Sequence, residues 1–330
     1  MSMADRDGKI WMDGTLVDWR DAKIHVLTHT LHYGCGAFEG VRAYNTVHGT
    51  AIFRLQEHTQ RLFNSAKILR MKIPFSFEEV FEAQRTVVRE NKLESCYLRP
   101  LTWIGSEKLG VSPKGNTVHL MVAAWPWGAY LGEESKNGGI RAAVSSWRRI
   151  SPAGSIPHAK ASGSYLNSIL AKTESANAGY EEAILLDERG FVCEGSGENI
   201  FLVRDGEIVT PPHVASILDG INRKSVIQIA RDLGYTVIER DVARAELYLA
   251  EEVFLTGTAA ELVPVREIDD HDLGGPGEIT LAIQAKYEDA LHGRAEEYLE
   301  WLDPVGEPTG EAPPEPTPDQ VEAEEVGEPS

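Results

Sequence analysis

Between residues 126 and 139 the chain drops the apolar periodicity it keeps elsewhere. Pro126 leads into Trp127-Gly128-Ala129-Tyr130-Leu131-Gly132, and a polar stretch then closes on Gly138-Gly139. Glycine-rich interruptions of this kind mark connections. Single hydrophobic cores stop growing near roughly 250–300 residues, so a chain of 330 residues broken near its middle is expected to form two units. The expected division is a first domain over residues 1–127, a connecting loop over 128–139, a second domain over 140–302, and an acidic, proline-rich, disordered tail over 303–330.

Both flanks read as mixed α/β. Two β-prone runs, 9–12 and 15–19, flank Asp13-Gly14, a strong hairpin dipeptide. Strands follow at 41–44 and 51–54. A helix over 56–70 places Leu62, Phe63, Ala66 and Leu69 on one face, and a second over 77–91 opens with a capping box, Ser76 to Glu79. Strands at 95–103 and 117–125 complete the first unit. In the second, strands at 140–145, 182–186, 191–194 and 199–203 accompany helices near 164–177, 222–233, 244–249 and 278–291.

The formal charge of −19 excludes some partners once it is divided. Residues 303–330 hold nine acidic residues and no Lys or Arg, and the remainder carries 42 acidic against 32 basic residues. A body this acidic attracts neither nucleic acid nor an anionic membrane surface over distance. Cys35, Cys96 and Cys193 form no Cys-x-x-Cys pair, so neither a disulfide framework nor a thiolate zinc site is indicated and a reducing, cytoplasmic setting fits. The polar start lacks a signal-peptide core, and no stretch approaches about 18 uninterrupted apolar residues. His25, His29 and His32 invite a metal reading, but Val26, Thr28 and Thr30 suit an extended chain, and no metal is expected.

Among twelve lysines, Lys160 stands apart because Ala159, Ala161, Ser162, Gly163 and Ser164 around it are small and uncharged. A lysine that attacks an aldehyde must first lose its proton, which burial and a nearby cation favour. The plainer reading is a lysine in a flexible Ser/Gly loop. A pyridoxal phosphate (PLP) site would also need an anion cradle, an acid partner for the pyridine nitrogen, a donor to the ring oxygen and room for substrate. Asp219-Gly220-Ile221-Asn222 leads into a helix and leaves the Ile221 and Asn222 amides open to an anion. Thr256-Gly257-Thr258-Ala259-Ala260 offers hydroxyls on a loosened turn, and Arg61 offers a bidentate guanidinium. Glu194 ends a β-prone run before Gly195-Ser196-Gly197. Each has a plainer reading too: a solvated helix charge for Arg61, a strand-end carboxylate for Glu194, ordinary turns for the rest. Gly195-Ser196-Gly197 and Gly34-Cys35-Gly36 both lack the further glycine of a dinucleotide fingerprint.

Taken in order, Leu31-His32-Tyr33-Gly34, Phe38-Glu39-Gly40-Val41-Arg42, His58-Thr59-Gln60-Arg61-Leu62, Tyr97-Leu98-Arg99-Pro100-Leu101, Trp127 to Gly132, His158-Ala159-Lys160-Ala161-Ser162-Gly163, Glu194-Gly195 with Asn199, and Thr256 to Glu261 form one pattern. It resembles the branched-chain amino acid aminotransferases, class IV PLP enzymes of fold type IV, over residues 10–287. The resemblance implies an N-terminal α/β domain and a C-terminal β-barrel-like domain with surrounding helices. It implies ping-pong transamination between L-leucine, L-isoleucine or L-valine and 2-oxoglutarate, giving the branched-chain 2-oxo acid and L-glutamate through a Lys160 aldimine. Glu194 would keep the pyridine nitrogen protonated, Tyr165 would bond the ring oxygen, and Arg61, Ile221, Asn222 and Thr258 would hold the phosphate. The Thr258 and Ala259 amides with Tyr97 would take the substrate carboxylate, and Arg99 the distal carboxylate of 2-oxoglutarate. Phe38, Tyr33, Tyr165, Trp127 and Val111 would line the side-chain pocket, with Gly40, Arg42 and Tyr130 completing the substrate set. Tyr33 and Val111 would come from a second subunit, implying at least a homodimer and up to a hexamer.

Two features depart from the pattern. Asn222 stands where relatives often have threonine, and the acidic tail has no counterpart. Within the fold, the alternatives are a D-amino acid transaminase and an aminodeoxychorismate lyase, against which Tyr97 to Pro100 and Trp127 to Gly132 speak. From another class, the alternative is a PLP-binding or scaffold protein without turnover.

Overall fold

A computed structural model of the protein describes residues 2–128, 133–154 and 156–306. The substrate expectation for Tyr130 and most of the expected tail lie outside the described residues. Among the described residues, one compact unit gathers 2–128 with 289–306, and the other is formed by 133–154 with 156–288.

The first unit is built on an eight-stranded sheet in the order Leu302–Pro304, Gly49–Phe53, Val41–Thr46, Cys96–Ile104, Val118–Trp125, Lys9–Met12 and Thr15–Asp18, with Gly36–Phe38 also paired to Cys96–Ile104. Its helices Leu55–Ile68 and Phe77–Glu90 follow the apolar period. Leu62, Ala66, Val80 and Val87 join Leu98 and Val122 of the strands in one core, with Phe63 and Leu69 packed against it. The expected capping box is formed: the Glu79 amide donates to Ser76 Oγ at 3.2 Å and the Ser76 amide to Glu79 Oε2 at 2.7 Å.

Two expectations are corrected in this unit. The histidine segment is not extended throughout, because His29–Tyr33 forms a short helix stopped by Gly34 at φ 69°. Tertiary bonds override the weak β preference of Thr28 and Thr30: the His29 amide donates to Gly105 O at 2.9 Å and the Ile104 amide to Thr30 Oγ1 at 2.8 Å. The imidazoles are spent on carbonyls, His29 Nε2 on Gly110 O at 2.8 Å and His32 Nε2 on Val26 O at 2.9 Å. The expected second domain also ran too far. The chain beyond Asp289 returns to the first unit, where Leu302–Pro304 extends the sheet antiparallel to Gly49–Phe53. Trp301 packs edge-on against Phe53 at 5.8 Å. Asp303 and Pro304, expected in the tail, are therefore strand residues.

The second unit carries nine strands. Six of them, Val192–Gly195, Glu182–Leu186, Ile140–Arg148, Glu261–Ile268, Glu252–Gly257 and Asn199–Arg204, form a consecutive path. A further pairing of Val192–Gly195 with Asn199–Arg204 closes that path into a barrel, which leaves these strands no open edge. Ile184, Ile200, Val253, Leu255, Val263 and Val265 are buried together as its core. Around it lie Tyr165–Asn177 and Ile221–Asp232. Among the described residues, no helix is long and apolar enough to cross a membrane.

Candidate active site

The barrel closes on a single register pair, Glu194 with Asn199. Strand register shifts between Val192 and Glu194, the kind of bulge that re-aims a side chain. Glu194 is thereby turned into a cleft that Arg149, Lys160, Tyr165, Glu198 and Leu218 also line. Its Oε1 receives Arg149 Nη2 at 2.6 Å, and its Oε2 receives Asn199 Nδ2 at 3.1 Å and the Leu218 amide at 3.0 Å. Burial pushes this carboxyl above its ordinary range, while Arg149, the Leu218 amide and Lys160 pull it back. A carboxyl held so can share a proton with a facing base.

Lys160 sits between two buried alanines, Ala159 and Ala161, just ahead of the helix that begins at Tyr165. Its Nζ donates to Tyr165 Oη at 2.8 Å. An amine, a phenol and a proton-sharing carboxyl therefore meet in one cleft.

An anion cradle adjoins it. The helix Ile221–Asp232 has Gly220 as its cap with no side-chain capping bond, so its first-turn amides lack an acceptor within the helix. A Cβ on Gly220 would stand 1.9 Å from Asn199 Oδ1, which explains the glycine. The Asn222 side-chain oxygen is buried without a hydrogen-bond partner, and turning that amide would present its NH2 to an incoming anion. The hairpin turn carrying Thr258 and Ala259 presses on the turn after Glu194: a Cβ on Gly257 would lie 3.2 Å from Gly197 O. These residues fit PLP, with an acid for its ring nitrogen, a phenol for its ring oxygen, amides for its phosphate and a lysine to attach it.

A second group lies in the first unit. Tyr97 faces Arg42 and Trp125 in the sheet register. Gly40 has no Cβ because one would stand 2.0 Å from Tyr97 Oη. Arg99 Nη2 donates to that hydroxyl at 3.1 Å, and its guanidinium lies 4.8 Å above the Phe38 ring. The Trp127 ring is 5.2 Å from Tyr97. Arg99 Nε is buried with no hydrogen-bond partner, a donor suited to an incoming carboxylate. Tyr33 and Val111 are instead exposed, at 45% and 83%.

Arg61 is not a solvated helix charge. Its Nε and Nη2 hold Glu39 at 2.6 and 2.8 Å, and His58 Nδ1 lies 2.8 Å from the same carboxylate. Burial would raise Glu39, but the Arg61 guanidinium and His58 outweigh it and hold the carboxyl at about 2.

Sequence reasoning passed over Arg149, Asn199 as a ligand of Glu194, and Glu198. The signal for Arg149 was the pair Arg148-Arg149 at the end of a β-prone run, a place where surface arginines are common.

A family model described as Amino-transferase class IV matches residues 36–268. The branched-chain-amino-acid aminotransferase of Pseudomonas aeruginosa is 52% identical over 303 residues, 91% of this chain and 98% of that protein. The crystal structure of the Escherichia coli branched-chain amino acid aminotransferase superposes with a TM-score of 0.89 at 45% identity, covering 91% of this chain and all of that one. That of the branched-chain amino acid aminotransferase from Thermobaculum terrenum in its PLP form gives 0.86 at 36% identity, covering 91% and 99%.

Proposed function

This chain belongs to the class IV aminotransferases, and from that membership we propose that it transfers the amino group between L-leucine, L-isoleucine or L-valine and 2-oxoglutarate, with PLP as cofactor. Bound PLP supplies the electron-withdrawing ring that lets a proton leave the substrate α-carbon. Lys160 Nζ anchors the cofactor and carries that proton, with Tyr165 Oη beside it to steady its charge. Glu194, kept in place by Arg149 and Asn199, would serve as the acid partner of the ring nitrogen. The Ile221 and Asn222 amides with Thr258 and Arg61 take the phosphate. The Thr258 and Ala259 amides with Tyr97 take the substrate carboxylate, and Arg99 the distal carboxylate of 2-oxoglutarate. Gly40, Arg42, Phe38 and Trp127 shape the side-chain pocket. Its apolar walls discriminate weakly, since one methylene is worth about 1–3 kcal/mol, so all three substrates react.

The exposed Tyr33 and Val111 complete this pocket in a second copy of the chain, making the enzyme a homodimer at least and extending to a hexamer. Its three free cysteines suit a reducing cytoplasm. The observation that carries the reading is the convergence of Lys160, Tyr165 and Glu194 on one cleft. The test is to load the protein with PLP, add L-leucine, then 2-oxoglutarate. The visible band should disappear and return, and Lys160→Ala should not show it. A band retained by Lys160→Ala overturns the assignment, and a response to D-alanine alone replaces it with D-amino acid transamination.

A further inference from the structure

Glu198 lies four residues past Glu194, is only 5% exposed and lines the same cleft as Lys160, yet the chemistry above leaves it without work. Its carboxyl is hydrogen-bonded to that of Glu182, which is fully buried at the start of the neighbouring strand. Two buried carboxyls in such contact need one proton between them. Glu182 is furnished as the anion: it receives Lys172 Nζ at 2.6 Å, the Ala183 amide at 2.7 Å and the Ser196 amide at 3.3 Å. The proton therefore belongs on Glu198, whose Oε2 accepts the Gly197 amide at 3.1 Å.

The side chain is wedged between two glycines. A Cβ on Gly195 would stand 2.9 Å from Glu198 Oε2, and one on Gly257 would stand 3.3 Å from Glu198 Cγ. Gly195 ends the strand that carries Glu194, and Gly257 ends the strand that leads into Thr258. Glu198 thus spans the ends of the two strands that position the acid partner and the anion-binding amides.

We propose that Glu198 is a positioning residue for the transamination, tied to Glu182 and holding the end of the Glu194 strand against the end of the strand that leads into Thr258, so that Glu194 and the Thr258 and Ala259 amides meet cofactor and substrate in register. This rests on the site reading above. Burial and the adjacent Glu182 push the Glu198 carboxyl up to about 8, against the pull of Lys172 from the helix Tyr165–Asn177. Arg149, Lys160, Tyr165 and Glu194 complete the ionisable lining of the cleft. Because the folded value lies above the ordinary one, the stabilisation is full below about 4.5, declines as pH rises and is lost through about 8.

The test compares the wild type with Glu198→Ala, Glu198→Gln and Glu198→Asp. Three quantities are measured: the rate of the leucine half-reaction, the Kd for PLP, and the melting temperature of the apoprotein from pH 6 to 9. Glu198→Ala should lower both rate and PLP affinity about tenfold or more, in line with the sensitivity of catalysis to small displacements. Glu198→Gln, which copies a neutral carboxyl, should recover most of both. It should also flatten the fall in apoprotein melting temperature toward pH 8. Glu198→Asp, one methylene too short to span the strand ends, should remain impaired, and it serves where the alanine variant does not fold. Wild-type rate and affinity in Glu198→Ala or Glu198→Asp, a glutamine variant as impaired as those, or parallel melting profiles for wild type and Glu198→Gln would each overturn the proposal. A visible band retained by Lys160→Ala would instead remove the site reading and this inference with it.

Discussion

Glu194 and Glu39 are both buried carboxylates bonded to an arginine, yet their proton affinities move in opposite directions. Glu39 receives both arms of Arg61 and His58, enough to overcome burial and lock it as an anion. Glu194 receives one arginine nitrogen, a neutral amide side chain and one backbone amide, and burial prevails. Count and geometry of donors thus separate a structural anion from a carboxyl able to share a proton. Replacing Arg149 with methionine should raise Glu194 further and weaken it as the proposed partner of the ring nitrogen. The expected loss is that of a hydrogen bond to a charged group, about 1.5–3 kcal/mol, or roughly tenfold to a hundredfold in PLP affinity. Fluorescence titration of PLP into the apoprotein measures it, with an unchanged Kd counting against the role given to Arg149. In the sequence Lys160 and Glu194 stood out only through the ordered set of segments to which they belong, and the structure brings both to one cleft. Arg149 did not, since its partner stands 45 residues away and the bulge that aims Glu194 leaves no compositional mark.

At the scale of elements, the helices follow from their own local signals. Ser76 and Glu79 start one, and the spacing of Leu62, Ala66 and Leu69 orients another. The barrel was legible only through the family resemblance and not from periodicity, because Ile140 pairs in parallel with Val265 and neither strand carries a mark of that distant partner. The one-turn helix His29–Tyr33 was hidden for a similar reason, its bonds being tertiary. These causes predict different consequences of substitution. Ser76→Ala removes a cap worth about 1 kcal/mol, so thermal unfolding should shift down by about 2–4 °C with PLP affinity unchanged. Gly220→Ala drives a methyl into Asn199, whose side chain bonds Glu194 and Leu218 O. It should weaken PLP at least about tenfold, a cost near 1.4 kcal/mol. Equal PLP affinities for the two variants would show that the start of Ile221–Asp232 does not cradle the phosphate.

For the whole molecule, pH acts through the overall charge and through individual buried groups, and the two must be separated. At neutral pH the formal charge is −19, so acidification at first relieves self-repulsion across the surface. Glu39 works the other way. Its folded value of about 2 lies below the ordinary 4.5, so its stabilisation is present above about 4.5 and is lost as pH falls through about 2. A displacement of that size corresponds to roughly 3 kcal/mol, in keeping with the 3–5 kcal/mol or so typical when one partner of a buried ion pair is removed. Comparing the wild type with Glu39→Gln cancels the surface effect, because both chains share it. The variant should melt about 6–12 °C lower near neutral pH. That gap should narrow as pH falls from about 4.5 toward 2, where the wild-type carboxylate is itself protonated. Melting curves at about pH 7, 4 and 2.5 suffice to see the convergence. A gap that stays constant across that range would mean that Glu39 is not the buried anion that fixes Arg61, and the guanidinium would then owe its place to the helix alone.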